Sequence, residues 1–409
     1  MSLDIPDCQK TEYGTIPSDW LIGELRNILA FQCGAPFASL HFRKDGIGVR
    51  LIRNRDLKSN DDIVSYDGIY EPNYVVKNGD VLVSMDGDFI PCCWNNGEAL
   101  LNQRVGRVLP KGGNLAKYLY YILVTPLRRK QEGTGATTVK HLSHSDVEKL
   151  LVPYTLNIQE QRAIATALSD VDALIEAKRV LLEKKRAIKQ GTMQELLTGK
   201  LRLPGFPVTP MKHTEIGVLP EDWEVKTLGE IGVVKMCKRI FKHETSAEGD
   251  VPFFKIGTFG QQPDAYISRE KFNVYRSLYP YPQKGTPLIS AAGTIGRVVV
   301  YDGQDAYYQD SNIVWLEHEE KDILNAFLRY YYSVINWVTE TGSAITRLYN
   351  NNILSLQVAL PTMKEQAAIA SVLADIDSEI ATLEQALEKL VDLKQGMMQN
   401  LLTGRIRLV

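Results

Sequence analysis

Clusters of basic side chains are the best candidates for chemistry in this 409-residue chain, and that chemistry is recognition rather than bond-making. His41-Phe42-Arg43-Lys44 opens the densest such stretch, which runs on through Arg50, Arg53, Arg55 and Lys58. Lys235, Lys238, Arg239 and Lys242 hold the corresponding place in the second half. An arginine can donate a pair of N–H groups to O6 and N7 of guanine, and a lysine neutralises a phosphate. The bland alternative is a solvated charged loop. Lys140 and His141, near Arg128, Arg129 and Lys130, form a second candidate surface together with Arg347, suited to phosphates. Gln103 and Arg104 read as strand residues rather than contacts.

Motifs for catalysis are missing. Gly199-Lys200 is followed by Leu201, so no phosphate loop is completed. No Asn/Asp-Pro-Pro-Tyr/Phe segment suggests an amino-methyltransferase. Gly112-Gly113 and Gly293-Thr-Ile-Gly296 form no dinucleotide turn. Pro263-Asp264 leads to Glu270-Lys271 without the acid-x-Lys pair of a metal-dependent nuclease. His141 and His144 lack a third ligand and read as turn or DNA-facing residues. Cys8, Cys33, Cys92, Cys93 and Cys237 show no CxxC spacing, which implies reduced thiols rather than zinc or disulfides. Net charge is −2, so nucleic acid is not held by bulk charge. No apolar run reaches transmembrane length and no signal peptide is recognised, so a cytoplasmic protein is expected. The expectation is a binding and assembly protein with no catalytic residue, metal or cofactor of its own. A self-contained nuclease with an unrecognised site is the different-class alternative.

The elements that must position these residues come in two copies. Residues 160–203 and 365–408 align without a gap and are about half identical; such self-similarity sets the architecture. Each reads as one long helix. Asn157-Ile-Gln-Glu160 and Thr362-Met-Lys-Glu365 are predicted capping boxes, with the glutamate reaching back to the cap. Thr198-Gly199 and Thr403-Gly404 supply left-handed stops. Roughly 40 residues would make a rod of about 60 Å. Ile369, Leu373, Ile376, Ile380, Leu383, Leu387 and Leu390 form a heptad seam. The first copy keeps Ile164, Leu168, Val171, Ile175 and Leu182, while Leu174, Leu181 and Ile188 widen its stripe. Nine basic and six acidic residues in 153–203 face five basic and seven acidic in 361–409. This opposition favours pairing of the two helices with each other.

The duplication reaches further. Gly14-Thr-Ile-Pro17-Ser-Asp19-Trp20 matches Gly217-Val-Leu-Pro220-Glu-Asp222-Trp223, a turn that drops a large aromatic into a core. The strand-and-glycine segments Gly79 to Gly87 and Gly285 to Gly293 correspond. Next come the strands beginning at Gln103 and Ser311, and then helices with Tyr118, Tyr120 and Tyr121 or Tyr330, Tyr331 and Tyr332. The tyrosines read as packing residues. A glycine-rich run precedes each long helix, and Pro204, Pro207 and Pro210 form a stiff link between the copies. The unit is a mixed α/β domain with short strands, followed by a helix.

Together the E-Q-x-A-I-A … L-L-T-G-x-x-R-L helices, the G-x-[IL]-P-x-D-W phrases and the strand-then-glycine segments resemble the specificity subunit of type I restriction–modification enzymes over nearly the whole chain. The resemblance implies an α+β fold with two target recognition domains separated by a long antiparallel two-helix coiled coil, an internal pseudo-twofold repeat. The expected domains are 1–153 and 204–360 for recognition, with helical spacers at 154–203 and 361–409. It implies that the chain binds a split sequence in double-stranded DNA and docks two modification (methyltransferase) subunits, which restriction subunits join. S-adenosylmethionine, ATP and magnesium would belong to those partners. A related system with fused methyltransferase–nuclease partners is the alternative. Asp86 and Asp88 stand where the second copy has Ala292 and Thr294, which argues against a phosphate contact by that loop in the first domain.

Overall fold

The computed structural model describes residues 8–408 apart from 12–13, 134–139, 336 and 338–346. Parts of both glycine-rich runs therefore lie outside the described residues. The chain divides into two compact units, 1–179 with 385–409, and 180–384. Each unit thus takes part of both long helices.

In the first unit, Leu29–Cys33, Val105–Pro110, Val81–Ser84 and Pro91–Cys93 form an antiparallel sheet with Val81–Ser84 and Val105–Pro110 at its centre. All four residues of Val81–Ser84 are buried, as expected of a strand covered on both faces. Phe31 lies across Gly106, where a Cβ would meet its ring at 2.0 Å. A second sheet runs in the order Phe42–Arg43, Val64–Tyr66, Val49–Ile52, Ala99–Leu101, Val75–Val76, with one parallel pairing of Leu51 and Ile52 beside Leu100 and Leu101.

The second unit repeats this plan. Val233–Lys235, Ile313–Glu317, Pro287–Ser290 and Val298–Val300 form the antiparallel sheet. The smaller sheet again contains one parallel pair, Phe253 and Phe254 beside Tyr307 and Tyr308. Its own addition is a helix, Arg269–Leu278, packed against a tyrosine-rich core. The strand after each Asp-Trp turn pairs antiparallel with the strand that enters the long helix: Leu21–Glu24 with Leu151–Tyr154, and Glu224–Thr227 with Gln357–Leu360.

The two long helices are Ile158–Leu197 and Met363–Leu401. Within the first unit, Ile164 and Leu168 pack with Leu401 and Met397, and Asp172 meets Lys394 at 2.5 Å. Within the second, Met193, Leu196 and Leu197 pack with Ile369, Ala370 and Leu373. There Lys185 pairs with Glu379 at 2.5 Å, Lys189 with Asp377 at 2.6 Å and Arg186 with Glu384 at 2.7 Å. In both units rising numbers on one helix meet falling numbers on the other, so the pairing is antiparallel. Ile164, Leu168, Ile175 and Leu182 are buried as the heptads require, but Leu174, Leu181 and Ile188 are exposed. Two helices cover one stripe each, and a widened stripe has nothing left to face.

The capping boxes are half right. Asn157 Oδ1 accepts from the N–H groups of Gln159 and Glu160, and Thr362 Oγ1 from that of Glu365. The glutamates do not turn back to the caps. Glu160 and Glu365 are buried and each receives an arginine from the far end of the other long helix. In the second unit Arg202 donates to both carboxylate oxygens of Glu365, at 2.6 and 2.8 Å, and to both of Asp222, at 3.0 Å each. In the first, Arg407 bridges Glu160 and Asp19 in the same way. Trp20 donates its indole N–H to Glu160 at 3.2 Å, and Trp223 instead lies under the Arg202 guanidinium. Tertiary partners outcompete the local box because a buried carboxylate must be paired.

The neighbouring glutamine has a repeated role as well. Gln161 Oε1 accepts from Leu115 N–H and Gln366 Oε1 from Leu324 N–H, at the starts of helices Ala116–Glu132 and Asn325–Val334. Tyr121 and Tyr330 on those helices donate to Asp172 and Asp377, both at 2.7 Å. The same carboxylates hold Lys394 and Lys189. The tyrosines are therefore joints between a globular part and its helix pair. Gly199 and Gly404 end the helices at φ +67° and +69°, where a Cβ would strike Pro220 or Pro17.

Candidate nucleic-acid interface

The first basic stretch spans the edge strand Phe42–Arg43 of the five-stranded sheet, its central strand Val49–Ile52 and the turn that follows. Almost every cation there has a carboxylate beside it. Arg43 Nε lies 2.6 Å from Asp67, which also takes His41 Nδ1 at 2.8 Å. The His41 hydrogen bond, with Arg43, holds the Asp67 carboxyl below its ordinary range. Arg53 grips Asp56 with Nε and Nη2 at 2.9 and 2.8 Å and reaches Asp62 with Nη1 at 3.3 Å. Its side chain is only 17% exposed. Arg53 therefore closes the turn Asn54–Leu57, and its fork is occupied. Arg50 donates to Asn60 at 2.6 Å and lies 4.8 Å from the Trp94 ring centre. Burial pulls its pKa down. Lys44, 2.9 Å from Asp62, and Arg55, 3.7 Å from it, are 75% and 71% exposed and reach furthest into solvent. Lys58 meets Asp88.

The acids of the glycine loop are neutralised by this surface. Asp86 takes His141 Nδ1 at 2.7 Å and also Arg104. Burial raises its pKa, but the His141 and Arg104 hydrogen bonds outweigh that and leave it below the usual value. Asp88 is held down chiefly by Lys58. Arg104 belongs to the exposed turn before Val105–Pro110, not to the strand, and Gln103 shares that turn. The sequence reading places both residues in the strand, because the Arg104 pairing with Asp86 is tertiary and leaves no local signal. Lys140 donates to the Gln131 carbonyl at 2.9 Å. In the second unit, Arg347 occupies the place of His141: both form a bridge to the glycine loop, Ala292 with Arg347 and Asp86 with His141. Arg347 donates to Ser311 O at 3.1 Å.

The second basic stretch borders an open cleft of about 540 Å³ lined by Met236, Cys237, Lys238, Arg239, Phe241, Tyr275, Tyr279, Pro280 and Asp310. Lys238 lies over the Tyr279 ring at 5.1 Å. Arg239 Nε donates to Asp310 at 2.8 Å. Cys237 is buried beneath, its thiol pushed up to about 12 by burial. Lys235 lies 3.6 Å from Glu317, and Lys242 is exposed. Basic groups over aromatic walls suit a polyanion with planar bases. Among the described residues no group of three or more His, Cys, Asp or Glu is placed to hold a metal ion, and no helix is long and apolar enough to cross a membrane.

A family profile described as the type I restriction modification DNA specificity domain matches residues 17–184 and again 220–392. A candidate type I restriction enzyme specificity subunit of Haemophilus influenzae is 45% identical over 172 residues, 42% of this chain and 45% of that one. The EcoBI specificity subunit of Escherichia coli is 24% identical over 425 residues, covering 96% of this chain and 87% of its own length. The crystal structure of a type I restriction–modification S subunit from M. genitalium shares the fold at a TM-score of 0.62, with 18% identity, over 93% of this chain and 96% of the other.

Proposed function

The chain belongs to the family of type I restriction modification DNA specificity domains, and from that premise we propose that it binds a bipartite target in double-stranded DNA, one half through each recognition domain. The recognition domains are 1–153 and 204–360, and the spacers are 154–203 and 361–409. The observation that supports this most is the repetition of one fastening in both units: Asp-Trp turn, helix glutamate and opposite-helix arginine. Rigid fastening of each reader to a shared helix pair is what a fixed gap between half-sites demands.

Two modification subunits dock on the long helices, and restriction subunits join through them. Leu181 and Ile188, seven residues apart on one face of the first helix, are exposed, which suits such docking. S-adenosylmethionine, ATP and magnesium belong to those partners, and the complex works in the cytoplasm. Lys44, Arg55, Lys58 and Lys242 neutralise phosphates, while Arg50, Arg53 and Arg43 shape the surface that carries them.

Co-expression with the methyltransferase subunit of such a system tests this reading. The expected product is a complex of two such subunits with one copy of this chain that methylates a split sequence. A chain that purifies alone from those cells would sink it.

A further inference from the structure

We propose that Arg239 reads one guanine in the half-site of the second recognition domain, and that Asp310 aims it. The inference rests on the proposed role as a DNA specificity subunit and goes further by naming the base and the atoms. Bidentate reading of guanine in the major groove needs an exposed guanidinium whose two terminal nitrogens are unspent and whose direction is fixed. Asp310 holds Arg239 from the side, through Nε at 2.8 Å. That grip leaves Nη1 and Nη2 for O6 and N7. The Arg239 side chain is 58% exposed, and the Asp310 side chain is 16% exposed and so a firm anchor.

Among the described residues Arg26 is also held through Nε, but by Glu24, which is itself 40% exposed and so a looser anchor. Arg53 spends its fork on Asp56 and Asp62. Arg107 spends its own on Gln32, Asn73 and Val75. Arg50 gives Nη2 to Asn60, and Arg347 gives Nη2 to Ser311. Arg55 is exposed but only loosely held, 3.7 Å from Asp62.

The surroundings favour a base over a phosphate. A carboxylate beside the guanidinium repels a phosphate but tolerates the neutral acceptors of a base edge. The cleft next to Arg239 is walled by the rings of Phe241, Tyr275 and Tyr279, against which a base can lie. Phosphates fall instead to Lys238, over Tyr279, and to exposed Lys242.

The test uses the chain assembled with its methyltransferase subunits and maps the methylated sequence in genomic DNA. Arg239→Ala should relax one G·C position in the second half-site, lowering discrimination there by about ten- to a hundredfold, with the first half-site unchanged. Arg239→Lys keeps the charge but not the fork and should relax the same position. Asp310→Ala should weaken discrimination at that base pair and no other, and Asp310→Asn, which keeps an acceptor for Nε, should retain most of it. An unchanged methylated sequence in Arg239→Ala would overturn the inference, as would a uniform loss on all sequences with discrimination intact. Failure of the wild-type chain to assemble would instead sink the reading on which the inference stands.

Discussion

Arg407 lies against Asp19, 388 residues earlier in the chain, with Nη1 and Nη2 each 3.0 Å from a carboxylate oxygen. The same arginine reaches Glu160, whose side chain is fully buried. Arg202, Asp222 and Glu365 repeat the arrangement. Removing one member of a buried pair leaves the other uncompensated. Arg407→Ala should therefore cost about 3–5 kcal/mol in denaturant unfolding. The double variant with Glu160→Gln should cost less than the two single changes added together. A loss below about 1 kcal/mol would place the pair with ordinary surface bridges.

Acid should loosen the same fastening. The Arg202 hydrogen bonds hold Asp222 down to about 2, and Arg407 lowers Asp19 in the same direction, against some burial. Both groups are more acidic folded than unfolded. Their stabilisation is thus present above the unfolded carboxylate value, near 4, and fades as pH falls toward 2. For Asp222 it is on the order of 1 kcal/mol once solvent screening is allowed for. Unfolding midpoints at pH 6, 4 and 3 should fall in that order, and Asp222→Asn should flatten part of the slope.

The basic stretch of the first unit should split into two kinds of residue. Arg53→Ala should lower unfolding stability by about 1–3 kcal/mol, since it leaves Asp56 buried without its fork. Lys44→Ala, Arg55→Ala and Lys58→Ala should leave stability nearly unchanged. In the assembled complex each should weaken DNA binding on all sequences alike and reduce the salt dependence of log K by about one ion. Titrations at several salt concentrations distinguish these outcomes from loss at a single base pair.

A fragment of residues 1–203 carries Asp19, Trp20 and Glu160 but not Arg407. It does carry Arg202, the matching residue of the repeat. Two copies can close each other's clusters, so the fragment should run as a dimer in size-exclusion chromatography. Arg202→Ala in that fragment should shift it toward monomer.

The duplicated helices and the buried tryptophans are legible because they rest on periodicity and repetition, which one chain displays in full, whereas the antiparallel sense of the helix pair is what the family resemblance implies. Leu174, Leu181 and Ile188 mislead because amphipathic spacing states which residues share a face, not how much partner surface is available. Glu160 and Glu365 satisfy a local capping rule and are then claimed by arginines far away in sequence, which no local rule can register. The basic stretches mark a surface, but each arginine's partners are set by loops packed from elsewhere. That is why Arg53 and Arg239, alike on paper, end in different surroundings.

Because Leu401 and Arg407 complete the core and the ion cluster around Trp20, the first unit to be synthesised is the last to be finished. Its amino-terminal sheet can form as it leaves the ribosome, but its base stays open until Leu401 and Arg407 have been made. A copy that stops before Leu401 would carry an exposed apolar floor, the kind of surface that invites aggregation.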